Sequence, residues 1–115
     1  MKDRDIKSIH RIIEHIGLIN EYMLDINSFE GFSNSQIVID AVVFNLSQIG
    51  EIAKSRISSQ AKVELTDIPW HDIYGFRNRI IHDYDDIDMI IVYDTVVEDL
   101  PQLLDRLVSI VNENN

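Results

Sequence analysis

Apolar residues recur at intervals of three and four positions through most of the chain, which is the spacing of a packed α-helical face. The pattern predicts a first helix over about 3–25 and a second over about 35–57. Between them, 27–35 contains Asn, Ser and Gly residues and is predicted to be a loop, in which Ser33 or Asn34 caps the second helix. The first helix is expected to bury Ile6, Ile9, Ile13, Ile16 and Met23, with Ile12 and Ile19 beside them and Asn20 as a polar exception.

The second helix carries apolar residues on more than one face. These are Ile37, Val38, Ala41, Val42, Phe44, Leu46, Ile49, Ile52 and Ala53. A helix this apolar is buried on several sides, and a small chain offers few internal surfaces, so the extra face predicts an oligomer interface. Gly50 costs a helix about 1 kcal/mol relative to Ala, and its presence therefore predicts a close crossing with another helix.

The third helix is predicted from a change at Pro69. The preceding stretch, 58–69, is polar and is expected to be irregular. Proline is tolerated in the first turn of a helix, so a helix is expected over about 69–82. Trp70, at its start, is predicted to be a packing anchor.

The remaining pattern predicts one or two further helices. An aspartate of the acidic run 83–88 is expected to cap a fourth helix that begins near Ile87. Pro101 should kink or end this helix, or lie in the first turn of a fifth, and the apolar spacing continues to Val111. No segment alternates as a strand does, so we predict an all-α fold, an up-and-down antiparallel bundle of four to five helices, in a single domain over 1–115.

Composition limits the partners that this bundle can bind. The 20 acidic residues outnumber the 10 basic ones, for a net charge of −10, which argues against broad electrostatic binding of nucleic acid. A nucleic-acid enzyme of this charge needs a local basic cleft or a basic partner. There is no cysteine, the histidines His10 and His15 have no ligand partner four residues away and are expected to be solvated or at a rim, and no metal site is predicted. No membrane span or signal peptide is expected, and a cytoplasmic location is predicted.

The densest chemistry lies at 75–84, Gly-Phe-Arg-Asn-Arg-Ile-Ile-His-Asp-Tyr. Arg77 and His82 are five residues apart, which on a straight helix separates them by about 140° around the axis. The two side chains are therefore not expected to share a face. Either the helix ends near His82, or the site takes groups from elsewhere as well.

These residue types suit RNA cleavage by transesterification. His82 can be the acid or the base at neutral pH, and the Arg77 guanidinium matches phosphate oxygens. Asn78 can hold a phosphate oxygen or orient His82, and the reaction requires no metal. One histidine cannot easily be both acid and base in one turnover, whereas two protomers with facing motifs would supply two. Taken alone, such a motif on a helix is more often structural, with ion pairs to the nearby aspartates and a capping histidine.

Other polar residues have two interpretations. Asn45, Gln48 and Glu51 share one strip of the second helix, where they either form structural hydrogen bonds or line a site. Arg79 either reaches phosphate as a second cation or pairs with Asp83, four residues on.

The pattern Arg77-Asn78-x3-His82-x-Tyr84 resembles the Arg-x4-His-x-Tyr signature of HepT-like toxins in the HEPN superfamily. The similarity extends from about residue 3 to residue 111 in three further blocks in the same order. These are Asn45-Leu46-x2-Ile49-Gly50-Glu51, Ile68-Pro69-Trp70 and Asp99-Leu100-Pro101. One such motif is weakly specific, and four in order are strongly so.

The resemblance implies a function and its control. It implies a HEPN-like helical bundle and a metal-independent endoribonuclease toxin of a toxin–antitoxin pair, without a cofactor. It implies a homodimer whose paired motifs line a cleft, with Arg77, His82 and Asn78 as catalytic residues. It further implies neutralisation by a minimal nucleotidyltransferase antitoxin that adds AMP to Tyr84. The alternative is a non-catalytic nucleotide-binding or scaffold subunit that docks such a nucleotidyltransferase and presents Tyr84.

Overall fold

The computed structural model describes residues 1–82 and 87–114. Its helices are α1 (Asp3–Tyr22), α2 (Phe29–Ser33), α3 (Gln36–Ser55), α4 (Ser59–Glu64), α5 (Trp70–His82), α6 (Met89–Asp94) and α7 (Leu100–Glu113), with a π-helical turn at Thr95–Asp99 between the last two. This part of the chain contains no strand, and the predicted all-α bundle is confirmed. Its four long segments are α1, α3, α5 and the continuous run from α6 to α7.

Helix α3 is the central element, because it packs extensively against both α5 and α1. Its buried positions include Val42, Leu46 and Ile49, whereas Ile37 and Phe44 are 86% and 59% exposed. By length and composition alone α3 could also cross a membrane. However, 44% of its apolar stretch is buried inside the bundle, as in the core helix of a folded domain. The two-sided apolar pattern therefore divides into a buried core face and an exposed apolar face.

Helix α1 buries a face rotated slightly from the predicted one. Ile9, Ile12, Ile16 and Ile19 are at most 1% exposed, and Asn20 is exposed. The sequence pattern placed Ile12 and Ile19 at the margin of the apolar stripe. Ile9, Ile12, Ile16 and Ile19 follow one another at spacings of three, four and three, which puts Ile12 and Ile19 within the centre of the buried face.

Two short helices interrupt stretches that the sequence predicted to be irregular. The Ser28 hydroxyl accepts a hydrogen bond from the Gly31 N–H at the start of α2, and Ser58 caps α4 in the same way. The predicted loop at 27–35 is therefore wrong in part. So are the predicted caps of α3, since Ser35 occupies that position and makes no side-chain capping bond.

The last two helices form one path through the π-helical turn. Asp88 caps α6 by accepting from the Ile90 N–H, as predicted for one of the acidic residues. Pro101 lies in the first turn of α7, one of the predicted alternatives. Proline lacks an N–H and crowds the preceding turn, and a wider π turn immediately before α7 accommodates that change in bonding.

The beginning of α1 is fixed to the beginning of α4 by a buried carboxylate. Asp5 is fully buried, and its two oxygens accept from the Ser58 N–H and hydroxyl, each at 2.7 Å. Burial alone would raise the pKa of Asp5, but the bonds from Ser58, a bond from the Lys2 amide and the charge of Arg4 outweigh it and hold the pKa below 3.8. The ionised carboxylate thus stabilises the fold at neutral pH.

Candidate functional site

The candidate site is built on the crossing of α3 and α5 at Gly50. A Cβ atom on Gly50 would lie 2.2 Å from the Cβ of Arg77, 2.8 Å from its Cγ and 3.2 Å from the carbonyl oxygen of Ile73. Only a residue without a side chain lets the two helices approach this closely. The predicted close crossing is confirmed, and it places the aliphatic stem of Arg77 directly on the backbone of α3.

The beginning of α5 is anchored by Trp70. Its ring is 8% exposed, and its indole N–H donates to the Leu65 carbonyl oxygen at 3.2 Å. The Pro69 carbonyl accepts from the Ile73 N–H, so the proline immediately precedes the helix, as the sequence predicted to within one residue. This anchoring fixes the rotation of α5 and hence the direction in which Arg77 points.

The guanidinium of Arg77 is held by two neighbours. Its Nη2 lies 3.1 Å from Glu51 Oε2, and its Nη1 donates to Asn78 Oδ1 at 3.0 Å. The Arg77 side chain is 22% exposed, and its Nε is buried without a hydrogen-bond partner among the described residues. A buried donor left unbonded costs free energy, and a catalytic role is one reason that a fold retains such a group. Glu51, 46% exposed, is also held by the Ser55 hydroxyl at 3.0 Å.

A second cation and a phenol adjoin Arg77. The Lys54 ammonium donates to the Tyr74 hydroxyl at 2.6 Å, and the Arg77 guanidinium carbon lies 5.8 Å from the centre of the Tyr74 ring. Lys54 and, after it, the side chain of Asn78 lower the pKa of Tyr74 below 10, because both stabilise the phenolate. We refer to Glu51, Lys54, Tyr74, Arg77 and Asn78 together as the Arg77 cluster.

Helical spacing explains the composition of the Arg77 cluster. Glu51 and Lys54 are three apart on α3, and Tyr74, Arg77 and Asn78 are three and four apart on α5, so each set shares a face. Glu51, Arg77 and Asn78 were predicted from the sequence as candidate site residues, whereas Lys54 and Tyr74 were not. The same spacing, applied outward from Glu51 and Arg77, would have found both.

The structure does not bring every predicted residue into this cluster. His82 is the last residue of α5 and is exposed, about 140° around the helix from Arg77, as their spacing predicted. Arg79 is also exposed. Its alternative partner Asp83 and the predicted AMP acceptor Tyr84 lie outside the described residues.

Asn45 has a structural role at a different helix contact. It is 4% exposed, its amide donates to the Ala41 carbonyl at 2.8 Å, and its Oδ1 lies 2.8 Å from His15 Nδ1. Of the two interpretations of Asn45, the structure shows the hydrogen-bonded one. His15 is correspondingly half-buried and bonded to α3. Within 1–82 and 87–114, no three His, Asp or Glu side chains converge so as to hold a metal ion.

Comparison with known proteins gives the family. The family model described as "Ribonuclease HepT-like" matches residues 12–110. The chain is 33% identical over 104 residues to "Putative RNase MJ1380" of Methanocaldococcus jannaschii, covering 90% of this chain and 94% of that protein. It is 36% identical over 92 residues to "Probable ribonuclease HepT" of Thermococcus cleftensis, covering 80% and 82%. No solved structure matches. The match covers most of the bundle, including the α3–α5 crossing and the Arg77 cluster, and the chain belongs to the HepT-like ribonuclease family.

Proposed function

We propose that this ribonuclease is a metal-independent endoribonuclease and the toxin of a toxin–antitoxin pair. It cleaves RNA as a homodimer with Arg77 and His82 of each protomer. A nucleotidyltransferase antitoxin neutralises it by attaching AMP to Tyr84. The observation that carries the proposal is the placement of the Arg77 guanidinium, half-buried at a helix crossing, with its stem fixed against Gly50 and its head oriented by Glu51 and Asn78.

The chemistry follows from the residue types. A base removes the proton of a ribose 2′-hydroxyl, the 2′-oxygen attacks the adjacent phosphorus, and the bond from phosphorus to the 5′-oxygen breaks. An acid then gives a proton to that leaving oxygen, which produces a 2′,3′-cyclic phosphate and a free 5′-hydroxyl. His82 of one protomer serves as base and that of the other as acid. The Arg77 guanidinium stabilises the charge on the non-bridging oxygens, and Asn78 orients it.

The exposed apolar face of α3 supports the dimer. Ile37 and Phe44 are seven residues apart, which places them two turns apart on one side of the helix, and both are more than half exposed. Ile81, next to His82 on α5, is 47% exposed as well. Covering these residues in a dimer would remove apolar surface from water.

The cleavage experiment uses purified protein, a labelled oligoribonucleotide and excess EDTA. Wild type is expected to cleave the RNA, whereas His82→Ala and Arg77→Ala should each lower kcat by about 10²–10⁴-fold. Arg106→Ala is the matched control, because it also removes a guanidinium. Arg106 lies on α7, where it pairs with Asp67, and it is not part of the Arg77 cluster. Retained cleavage by His82→Ala, with an unchanged helical circular dichroism spectrum, would exclude its role as acid or base.

Arg77→Lys separates charge from geometry. Lysine keeps the positive charge but loses the planar fork that binds two phosphate oxygens. We expect Arg77→Lys to be nearly as inactive as Arg77→Ala. Full activity of Arg77→Lys would show that the site needs a cation only. The toxin role is measured by expression in cells, where wild type should arrest growth and Arg77→Ala should not.

A further inference from the structure

A second, basic feature adjoins the Arg77 cluster. An open groove of about 530 Å³ runs between the first three turns of α1 and the end of α3. Among the residues that the structure describes, it is lined by four cations, Arg4, Lys7, Arg11 and Arg56, and by one carboxylate, that of Glu51. We refer to it as the α1–α3 groove. Four of the ten basic residues of an acidic chain thus line one surface.

The cations of the α1–α3 groove are available to a ligand. All four residues are exposed, and none forms an ion pair with a carboxylate that the structure describes. Arg4, Lys7 and Arg11 follow one another at spacings of three and four, so they share one face of α1 and extend over about 10 Å. A stacked strand carries one phosphate about every 3.4 Å, so a row of about 10 Å spans about three phosphate spacings, and each of its three cations can contact a phosphate.

The walls of the α1–α3 groove are fixed to each other. The Ser8 hydroxyl lies 2.9 Å from the Arg4 carbonyl oxygen and 3.2 Å from that of Arg56, and it therefore bridges the two helices. Two residues beyond Arg56, the N–H and hydroxyl of Ser58 donate to the Asp5 carboxylate and hold the same end of α1. The fold therefore fixes the distance between the cations on α1 and Arg56 at the end of α3.

Glu51 connects the α1–α3 groove to the Arg77 cluster. Its side chain lines the groove and also forms the ion pair with Arg77 at 3.1 Å. The groove and the Arg77 guanidinium therefore adjoin at the Glu51 carboxylate.

We propose that the α1–α3 groove binds the phosphate backbone of single-stranded RNA and guides it to Arg77. This inference rests on the proposed endoribonuclease function, and it names the path of the substrate. Binding should not depend on the nucleotide sequence of the RNA, because the groove offers cations to the phosphates and few groups that could contact base edges.

The test uses an uncleavable probe, a fluorescein-labelled oligouridylate of about 12 nucleotides with 2′-O-methyl riboses, which lacks the attacking hydroxyl. Its Kd is measured by fluorescence anisotropy at several salt concentrations. The triple variant Arg4→Ala/Lys7→Ala/Arg11→Ala should bind at least about 10-fold more weakly, and the slope of log K against log salt should fall by about 2, since each lost phosphate contact contributes about 0.7 for single strands. Arg11→Ala and Arg106→Ala form a pair matched in charge and residue type, and only Arg11→Ala should weaken binding.

Cleavage of the unmodified oligonucleotide is measured in parallel, where the triple variant should show a raised KM. If wild type cleaves RNA and the triple variant binds the probe as Arg106→Ala does, the groove proposal is wrong while the endoribonuclease mechanism stands. If wild type binds the probe through the groove but cleaves nothing, the groove stands and the proposed mechanism fails. If the triple variant keeps its RNA affinity but loses its nucleotidyltransferase partner, the groove is a protein-docking surface and the proposal is overturned.

Discussion

Replacing Gly50 by alanine tests whether the α3–α5 crossing holds the site together. The new Cβ would lie 2.2 Å from the Cβ of Arg77. Carbon atoms in contact are about 3.5–4.0 Å apart, so the helices must separate by more than about 1 Å. A rotamer change cannot relieve this clash, because the Cβ of Arg77 is fixed to the backbone of α5.

The magnitude follows from two opposing terms. Alanine favours a helix over glycine by about 1 kcal/mol, and overpacking a tight contact costs about 1–3 kcal/mol or more. Because both clashing atoms are attached to the backbone, we expect an overpacking cost of about 3 kcal/mol, the upper end of that range. After the gain of about 1 kcal/mol in helix propensity, the free energy of unfolding should fall by about 2 kcal/mol. For a chain of this size, that lowers the melting temperature by about 8 °C.

The assay is urea unfolding followed by circular dichroism and by the fluorescence of Trp70, the single tryptophan, at one fixed protein concentration. Gly17→Ala is the matched control, since Gly17 is an exposed residue within α1 and a Cβ there meets nothing within 4 Å. Gly17→Ala should gain about 1 kcal/mol. If Gly50→Ala also proves more stable than wild type, the close crossing is not present in solution. Because a misplacement of about 1 Å can cost about 10²-fold in rate, RNA cleavage by Gly50→Ala should fall as well.

Three further changes have expected outcomes. Trp70→Ala should lower the free energy of unfolding by about 3–5 kcal/mol, because the ring is buried, and an unchanged melting temperature would contradict that burial. Asp5→Ala should cost about 2–4 kcal/mol at neutral pH by leaving the Ser58 donors unpaired, whereas Asp3→Ala, on the exposed first turn, should cost less than about 1 kcal/mol. Because the folded pKa of Asp5 lies below 3.8, the ionised carboxylate stabilises the fold above that pH, and this stabilisation is lost as the pH falls through the folded pKa. The difference in free energy of unfolding between wild type and Asp5→Ala should therefore narrow on acid titration. A difference that stays constant would show that the Asp5 carboxylate is not the stabilising group. Tyr84→Phe should cleave RNA but escape the nucleotidyltransferase. After incubation with the nucleotidyltransferase, ATP and magnesium, wild type is expected to gain about 329 Da in its intact mass, as the tyrosine oxygen attacks the α-phosphorus and pyrophosphate leaves, and an equal gain by Tyr84→Phe would place the acceptor elsewhere.

The long helices were predictable because their apolar spacing is sustained over many turns. The close approach at Gly50 and the burial of Trp70 were predictable for a related reason, since each residue is costly or bulky and requires a specific environment. Helices α2 and α4 were not predictable from spacing, because five or six residues complete too few turns to show a period. Their signals were instead the capping serines, Ser28 and Ser58.

The contacts that define the site were less predictable than the elements that carry it. Lys54 and Tyr74 are twenty residues apart and meet only because α3 and α5 cross at one particular point. Asn45 shows the same limit, since the sequence left a hydrogen-bonded role and a site-lining role open, and only the contact with His15 of α1 identifies the hydrogen-bonded one. A single sequence shows which face a residue occupies, but the partner across an interface depends on the register of two helices.

The distribution of charge answers the objection raised by the net charge of −10. Four of the ten basic residues line the α1–α3 groove, and Lys54 and Arg77 adjoin it through the Arg77 cluster, whereas among residues 1–82 and 87–114 Glu51 is the only acidic residue that lines the groove. Charges beyond about 10 Å are largely screened at an ionic strength of 0.1 M, so a phosphate in the groove experiences these cations more strongly than the acidic surface elsewhere. At low salt the screening length grows, and repulsion from the rest of the chain extends to the groove. An acidic ribonuclease with a local basic path should therefore lose affinity with rising salt less steeply than a uniformly basic protein that makes the same phosphate contacts, because the salt that weakens the attraction also screens the repulsion.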